Sequence, residues 1–244
     1  MSAPPSHLPA CCSAPAADWP LPLPLPGLIL HSCRFDPAQL AADDFVRCGL
    51  TPPAAIAGAI AKRQGEFLAG RLCAASALRA LAGHACYYPA RGADNAPCWP
   101  SGSLGSITHS HGWAAALVGA QEAWRGLGVD AEPLLTLARA ERLAGEILTP
   151  AELAHFQHLP ADERGAWLTL CFSLKESLFK ALYPLVQRRF YFQAAALVEQ
   201  DGNGRVRLQL REELGGEWTA GRCLDGQFAL HDERLLSLVA IPAP

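Results

Sequence analysis

Asp130 and Glu132 stand two apart in Gly128-Val129-Asp130-Ala131-Glu132, and Glu176 and Lys180 stand four apart in Phe172-Ser173-Leu174-Lys175-Glu176-Ser177-Leu178-Phe179-Lys180. On a strand the first pair shares a face, and on a helix the second pair does. Brought together, the two segments place three carboxylates and a lysine at one point. Three anions at close range repel one another unless a cation sits among them. That set suits a divalent metal and a phosphate, and so phosphoryl chemistry. Each pair alone also has a plainer reading. One is two acids at a solvated strand end, and the other is an i,i+4 ion pair worth about 0.2–0.5 kcal/mol. Phe172 and Phe179 beside the second pair argue against a plainly polar face. Lys175 lies about 100° round a helix from Glu176, and so faces either the site or solvent.

Other groups suit an anion. Arg63 and Arg71 fall within about 80° of each other on one helix and are placed to reach a common anion, or to form a basic exposed side balanced by Glu66. His109 and His111 are two apart. Zinc would need a third protein ligand, and neither HExxH nor CxxC supplies one. A phosphate bound by His109 fits better, because imidazolium donates to phosphate oxygens. Arg91, in a loop of Pro and Gly, is a candidate by position. No GxxxxGK, GxGxxG or GxSxG occurs.

The elements that must position these groups follow from periodicity. Pro20 to Pro26 alternates strictly with leucine, and proline removes ladder donors, so this stretch is expected to be an edge or covering strap, behind a loose tail or further strap over residues 1–19. Residues 27–35 read as a first strand. A long helix is expected over 54–81, with Phe67, Leu68, Leu72, Ala75, Leu78 and Leu81 on its buried face and Gly83 at its end. Residues 88–103 read as a loop. Strands over 106–110, 113–119 and 124–132 suggest a three-stranded antiparallel meander. A helix over 134–148 precedes Thr149-Pro150-Ala151-Glu152, an N-cap followed by proline at the first helical position. The strongest helix is expected over 167–183, stopped by Pro184. Strands over 190–198, 206–210, 227–230 and 235–241 close the chain, with a hairpin turn at Asp201-Gly202-Asn203-Gly204.

With 244 residues, half of them hydrophobic and 18% charged, the chain has ample material for one large domain or two small ones. A net charge of −3 gives no global basic field for nucleic acid or anionic lipid. No apolar run reaches the roughly 18 residues of a membrane span, and the N-terminus lacks the basic and apolar regions of a secretory leader. Nine cysteines, odd in number and irregular in spacing, read as reduced thiols of a cytoplasmic protein.

Arg63-Gln64-Gly65-Glu66-Phe67-Leu68-Ala69-Gly70-Arg71, Ser106-Ile107-Thr108-His109 and the two acidic segments occur in that order. Together they resemble the 4′-phosphopantetheinyl transferases of the surfactin- and enterobactin-synthetase-activating type, from about Phe35 to the C-terminus. The resemblance implies an α+β fold of two similar subdomains related by a pseudo-twofold, with coenzyme A at their interface. It divides the chain into a Pro-rich strap over 1–26, an N-terminal subdomain over 27–122 and a C-terminal subdomain over 123–244 that carries the metal site. It implies Mg²⁺-dependent, or Mn²⁺-dependent, transfer of the phosphopantetheine arm from coenzyme A to a serine of an apo acyl or peptidyl carrier protein. Adenosine 3′,5′-bisphosphate is the other product. The carrier class, from fatty acid, polyketide, peptide or siderophore synthesis, stays open.

Carried over residue by residue, Asp130, Glu132 and Glu176 become metal ligands, with the main chain of Ala131 contributing in some relatives. Lys180 becomes a phosphate contact. Arg63, Arg71, Thr108 and His109 become coenzyme A contacts, and Arg91 and Phe190 fall where relatives touch the coenzyme. Glu176 is also the candidate base for the carrier serine, a role that conflicts with binding metal. A self-contained monomer is implied. Phe172 stands where many relatives have tryptophan, and the Pro-rich tail fits no family motif. Arg188-Arg189 and the apolar residues after them offer a carrier dock, or a strand entering the core. The alternatives are a coenzyme A-binding paralogue without transferase activity, a metal-dependent phosphohydrolase and an interaction module.

Overall fold

The computed structural model describes residues 8–83 and 87–244, and the chain falls into two compact units. The first comprises Leu25–Trp124 and the described residues up to Trp19. The second comprises Pro20–Pro24 and Arg125–Pro244. Among the described residues no helix is long and apolar enough to cross a membrane.

In chain order the first unit holds strands β1 (Ala16–Ala17) and β2 (Ile29–Arg34), and helices α1 (Asp44–Arg47), α2 (Ala54–Ala57) and α3 (Ala61–Ala82). Strands β3 (Ala90–Arg91), β4 (Pro97–Cys98), β5 (Ser103–Ser110) and β6 (Trp113–Ala120) follow. A four-stranded antiparallel sheet has the order β1-β2-β6-β5. Its β6 carries Ala114 and Ala116 on the face toward α3, both buried, and these small side chains let the helix lie close on the sheet. Leu68, Leu72, Cys73 and Leu78 form the buried face of α3. Cys11, Cys12, Cys33, Cys48 and Cys73 are free thiols in this core. The Cys12 thiol lowers the proton affinity of Cys33, but the Cys73 thiol and then burial outweigh it and push Cys33 above the ordinary thiol range.

Several expectations change here. The helix expected from residue 54 is broken at residues 58–60, and Gln64 Nε2 donates to the carbonyls of Ala57 (3.1 Å) and Ala59 (2.7 Å) that the break frees. The expected loop over 88–103 contains the short β3–β4 hairpin. The tail is not loose over its described part, because Cys11 and Cys12 are buried and Ala16–Ala17 pairs with β2. Residues 1–7 of that expectation lie outside the described residues. The meander stops at two strands. The turn at His111 and Gly112, both at positive φ, joins β5 to β6, but the next strand belongs to the other sheet.

The second unit begins with that strand, β7 (Trp124–Pro133), followed by helices α4 (Leu137–Ile147), α5 (Pro150–His158) and α6 (Ala161–Val186). Strands β8 (Ala195–Gln200), β9 (Arg205–Leu210), β10 (Cys223–His231) and β11 (Arg234–Pro242) complete it. The five-stranded sheet has the order β7-β11-β10-β9-β8. Leu170, Leu174, Leu178 and Leu182, four apart on α6, pack with Leu208, Leu210, Leu235 and Val239 of the sheet. The Pro-rich strap lies along this unit. Leu21 is buried, and the Gln227 side chain brackets Leu23, accepting from its N–H (2.9 Å) and donating to its carbonyl (3.0 Å).

Helix α6 is longer than its apolar stripe suggests at both ends. It starts six residues earlier, in the acidic turn of Asp162 and Glu163, whose charges suit a helix N-terminus. Pro184 does not stop it. A proline in the last turn removes a single donor, and Gln187 at positive φ closes the helix, its N–H donating to Tyr183 O and its side chain to Pro184 O. The strand expected from Phe190 begins only at Ala195, after a 3₁₀ turn over Phe192–Ala194.

Candidate active site

Strand β7 and helix α6 meet unusually closely. A Cβ at Gly126 would lie 2.5 Å from Ala181 O, and one at Gly128 would overlap Ser177 O. These glycines let the strand carrying Asp130 and Glu132 lie against the helix carrying Glu176 and Lys180. Gly128→Ala is expected to destabilise the protein by at least about 1–3 kcal/mol, because the helix backbone must move. A lowered urea unfolding midpoint checks this.

The close approach brings the four groups into one electrostatic field. Asp130 is 5% exposed. Its Oδ1 accepts from Lys180 Nζ at 2.7 Å, and its Oδ2 accepts from Ser173 Oγ at 2.9 Å. Lys180 Nζ also donates to Val129 O at 2.9 Å. Burial and then the Asp130 charge push the Glu132 carboxyl up to about 7, with Lys180 and Arg139 acting against the rise and Glu176 adding to it. Burial also raises Glu176, with Lys180 opposing and Asp130 reinforcing. One lysine therefore does not balance three carboxylates. Among the described residues no three His, Cys, Asp or Glu side chains are already gathered into a metal shell. The donor chemistry nevertheless fits a hard divalent cation, since the three carboxylates accept only and penalise one another's charge.

The sign of the Glu132 shift makes a prediction. Its folded-state value lies above its unfolded one, so this group favours folding below about pH 4.5 and loses that contribution as pH rises through about 7. In EDTA, Glu132→Gln is expected to melt several degrees above the parent at pH 8, with the difference shrinking as pH falls and vanishing by about pH 4. Melting curves across that range check it.

Lys175 faces neither the site nor solvent. Its Nζ donates to Glu152 Oε2 (2.6 Å) and Ile147 O (2.8 Å), with the two side chains 2% and 4% exposed. Glu152 also accepts from Thr149 N and Oγ1 within the capping box at the start of α5, and from Leu197 N on β8. Both oxygens of the Glu152 carboxylate therefore have donors, as a buried ion pair requires.

In the first unit, Arg63 Nη1 lies 3.2 Å from both Glu66 Oε2 and His109 Nε2. Thr108, next to His109 on β5, is buried. Arg71 does not share this cluster's partners. It is buried, its Nε donates to Pro89 O at 2.6 Å, and its guanidinium stacks 4.4 Å over the Phe67 ring. Burial first, and the Arg91 charge second, lower it to about 10. Phe190 is a core residue, its ring 5.2 Å from that of Phe179. Arg188 Nη1 donates to Glu213 O, and Tyr191 is exposed.

Sequence reasoning missed Ser173, Ser177 and Ser237, which stand behind Asp130. Their signal was weak. Two serines four apart on the apolar stripe of a helix are hydroxyls where packing alone would place Ala or Leu.

Comparison with known proteins shows the family of the chain. Residues 51–119 match the family model described as the 4′-phosphopantetheinyl transferase N-terminal domain, and residues 126–231 match that of the 4′-phosphopantetheinyl transferase superfamily. The chain is 38% identical over 230 residues to the 4′-phosphopantetheinyl transferase PptT of Mycobacterium tuberculosis, covering 89% of this chain and 95% of the relative. It is 40% identical over 159 residues to enterobactin synthase component D of Escherichia coli O157:H7, covering 65% and 73%. It is 34% identical over 193 residues to the 4′-phosphopantetheinyl transferase Svp of Streptomyces mobaraensis, covering 78% and 76%. The segments carrying Arg63, His109, Asp130, Glu176 and Lys180 all fall within the matched regions, and the chain belongs to the 4′-phosphopantetheinyl transferase superfamily.

Proposed function

We propose that this enzyme moves the 4′-phosphopantetheine arm of coenzyme A onto a serine hydroxyl of an apo acyl or peptidyl carrier protein and releases adenosine 3′,5′-bisphosphate. The observation that carries the reading is the meeting of buried Asp130 with half-buried Glu132, Glu176 and Lys180, where the carboxylates outnumber the lysine and the Asp130 charge adds to the raised proton affinity of both glutamates. Asp130, Glu132 and Glu176, with the main chain of Ala131, are the residues that would hold Mg²⁺ or Mn²⁺. Bound there, the cation supplies neutralisation of charge on the pyrophosphate.

The chain's own residues account for the rest. The serine oxygen forms a bond to the β-phosphorus of coenzyme A, and the bond from that phosphorus to the bisphosphate oxygen breaks. The serine proton goes to a carboxylate, and Glu176 is the candidate because burial raises its basicity. The Lys180 ammonium donates to the phosphate oxygens that gain charge. Arg63, Thr108, His109, Arg71 and Arg91 of the first unit offer donors to the coenzyme's phosphates.

Chromatographic assay of adenosine 3′,5′-bisphosphate tests the reading. Release that needs both an apo carrier protein and a divalent cation supports it. Release from coenzyme A without any carrier would identify a phosphohydrolase, and coenzyme A binding with no release would identify a non-catalytic paralogue.

A further inference from the structure

Three fully buried hydroxyls lie behind Asp130, in a core otherwise lined by leucine and valine. Ser173 Oγ is 2.9 Å from Asp130 Oδ2 and 2.8 Å from Ser237 Oγ. Ser177 Oγ is 2.8 Å from Ser237 Oγ and 3.1 Å from Ser237 O. The direction of these bonds follows from the donors available. Asp130 faces the Lys180 ammonium and accepts at both oxygens, so Ser173 gives it its only hydroxyl proton. The Ser173 oxygen then accepts from Ser237. With that proton committed, Ser177 donates to Ser237, at the hydroxyl or the carbonyl. The chain therefore runs one way, from Ser237 through Ser173 to Asp130, with Ser177 feeding it when its proton points to the Ser237 hydroxyl, and each link polarises the next toward the anion.

The two oxygens of Asp130 are held differently. Oδ1 meets the ammonium of Lys180, which ends a flexible four-carbon stem and is a quarter exposed (27%). Oδ2 meets a hydroxyl locked within the helix–sheet core. We propose that Ser173 and Ser237 are positioning residues, fixing the rotamer of Asp130 so that Oδ1 stays presented to the cation and phosphate while Lys180 moves. The proposal rests on the reading that Asp130 helps hold a divalent cation. Partners of this kind, one bond behind a metal-binding carboxylate, tune affinity without touching the metal.

The test is Mn²⁺ binding to the full chain, without coenzyme A, followed by electron paramagnetic resonance and set beside urea unfolding of the same variants. Ser173→Ala is expected to weaken Mn²⁺ binding about tenfold and Ser237→Ala about threefold, while Ser177→Ala stays within about twofold of the parent. Urea midpoints are expected to fall comparably in all three, because each variant loses one buried hydroxyl that makes two hydrogen-bond contacts. Affinity that ignores Ser173→Ala, or that simply follows the loss of stability across the three variants, would overturn the positioning role and leave the cation reading standing. A parent protein that binds no Mn²⁺ would overturn the cation reading and this proposal with it.

Discussion

Asp130→Asn is expected to lower phosphopantetheine transfer on the order of a thousandfold, equivalent to about 4 kcal/mol of transition-state stabilisation. The substitution is nearly isosteric and keeps a polar group between Ser173 and Lys180, where Asp130 now accepts at 2.9 and 2.7 Å. What it removes is charge. An amide offers one weak oxygen to a hard cation and turns a donor toward one of its two present partners. The fold should persist, because the leucine ladder of α6 does not depend on that charge. Steady-state transfer rates beside a far-ultraviolet circular dichroism spectrum check both halves. A variant that retains more than a tenth of the parent rate would remove Asp130 from the site.

Lys175→Met is expected to have the largest effect on stability, a loss of about 3–5 kcal/mol. The methionine fills similar volume, but it leaves the Glu152 carboxylate buried without its cation and the Ile147 carbonyl without its donor. For a protein held by some 5–15 kcal/mol, that is a large share of the total. Urea unfolding checks it, with Glu176→Gln, one residue along the same helix and half-exposed to the site, expected to shift the midpoint far less. An unchanged midpoint in Lys175→Met would mean that the pair is not the fixed buried contact between α6 and the start of α5.

The contrast between these neighbours shows where sequence reading stops. The i,i+4 spacing of Glu176 and Lys180 and the two-residue spacing of Asp130 and Glu132 were legible, because helix and strand periods alone put each pair on one face. Lys175 was ambiguous because its partner, Glu152, lies 23 residues away, and only the packing of α5 on α6 joins them. The capping box that holds Glu152 was readable from Thr149-Pro150-Ala151-Glu152, but its second use as a buried counter-ion was not. Arg63 and Arg71 share a helix face by angle, yet Phe67 and the Pro89 carbonyl take Arg71 away from the partners of Arg63. The break before α3 and the continuation of α6 past Pro184 depend on the side chains of Gln64 and Gln187, which satisfy backbone groups that local propensity counts as lost. Strand β7 follows β6 closely in sequence but pairs with β11, a partner no local pattern specifies.

Intact-protein mass spectrometry of an apo carrier protein, incubated with this enzyme, coenzyme A and Mg²⁺ with and without EDTA, tests the central claim most directly. The account predicts that the carrier gains the mass of one phosphopantetheine, that EDTA abolishes the gain, and that Asp130→Asn does not produce it. A carrier that stays unmodified with a folded enzyme across fatty-acid and peptide carriers, or a gain that EDTA leaves untouched, would contradict it.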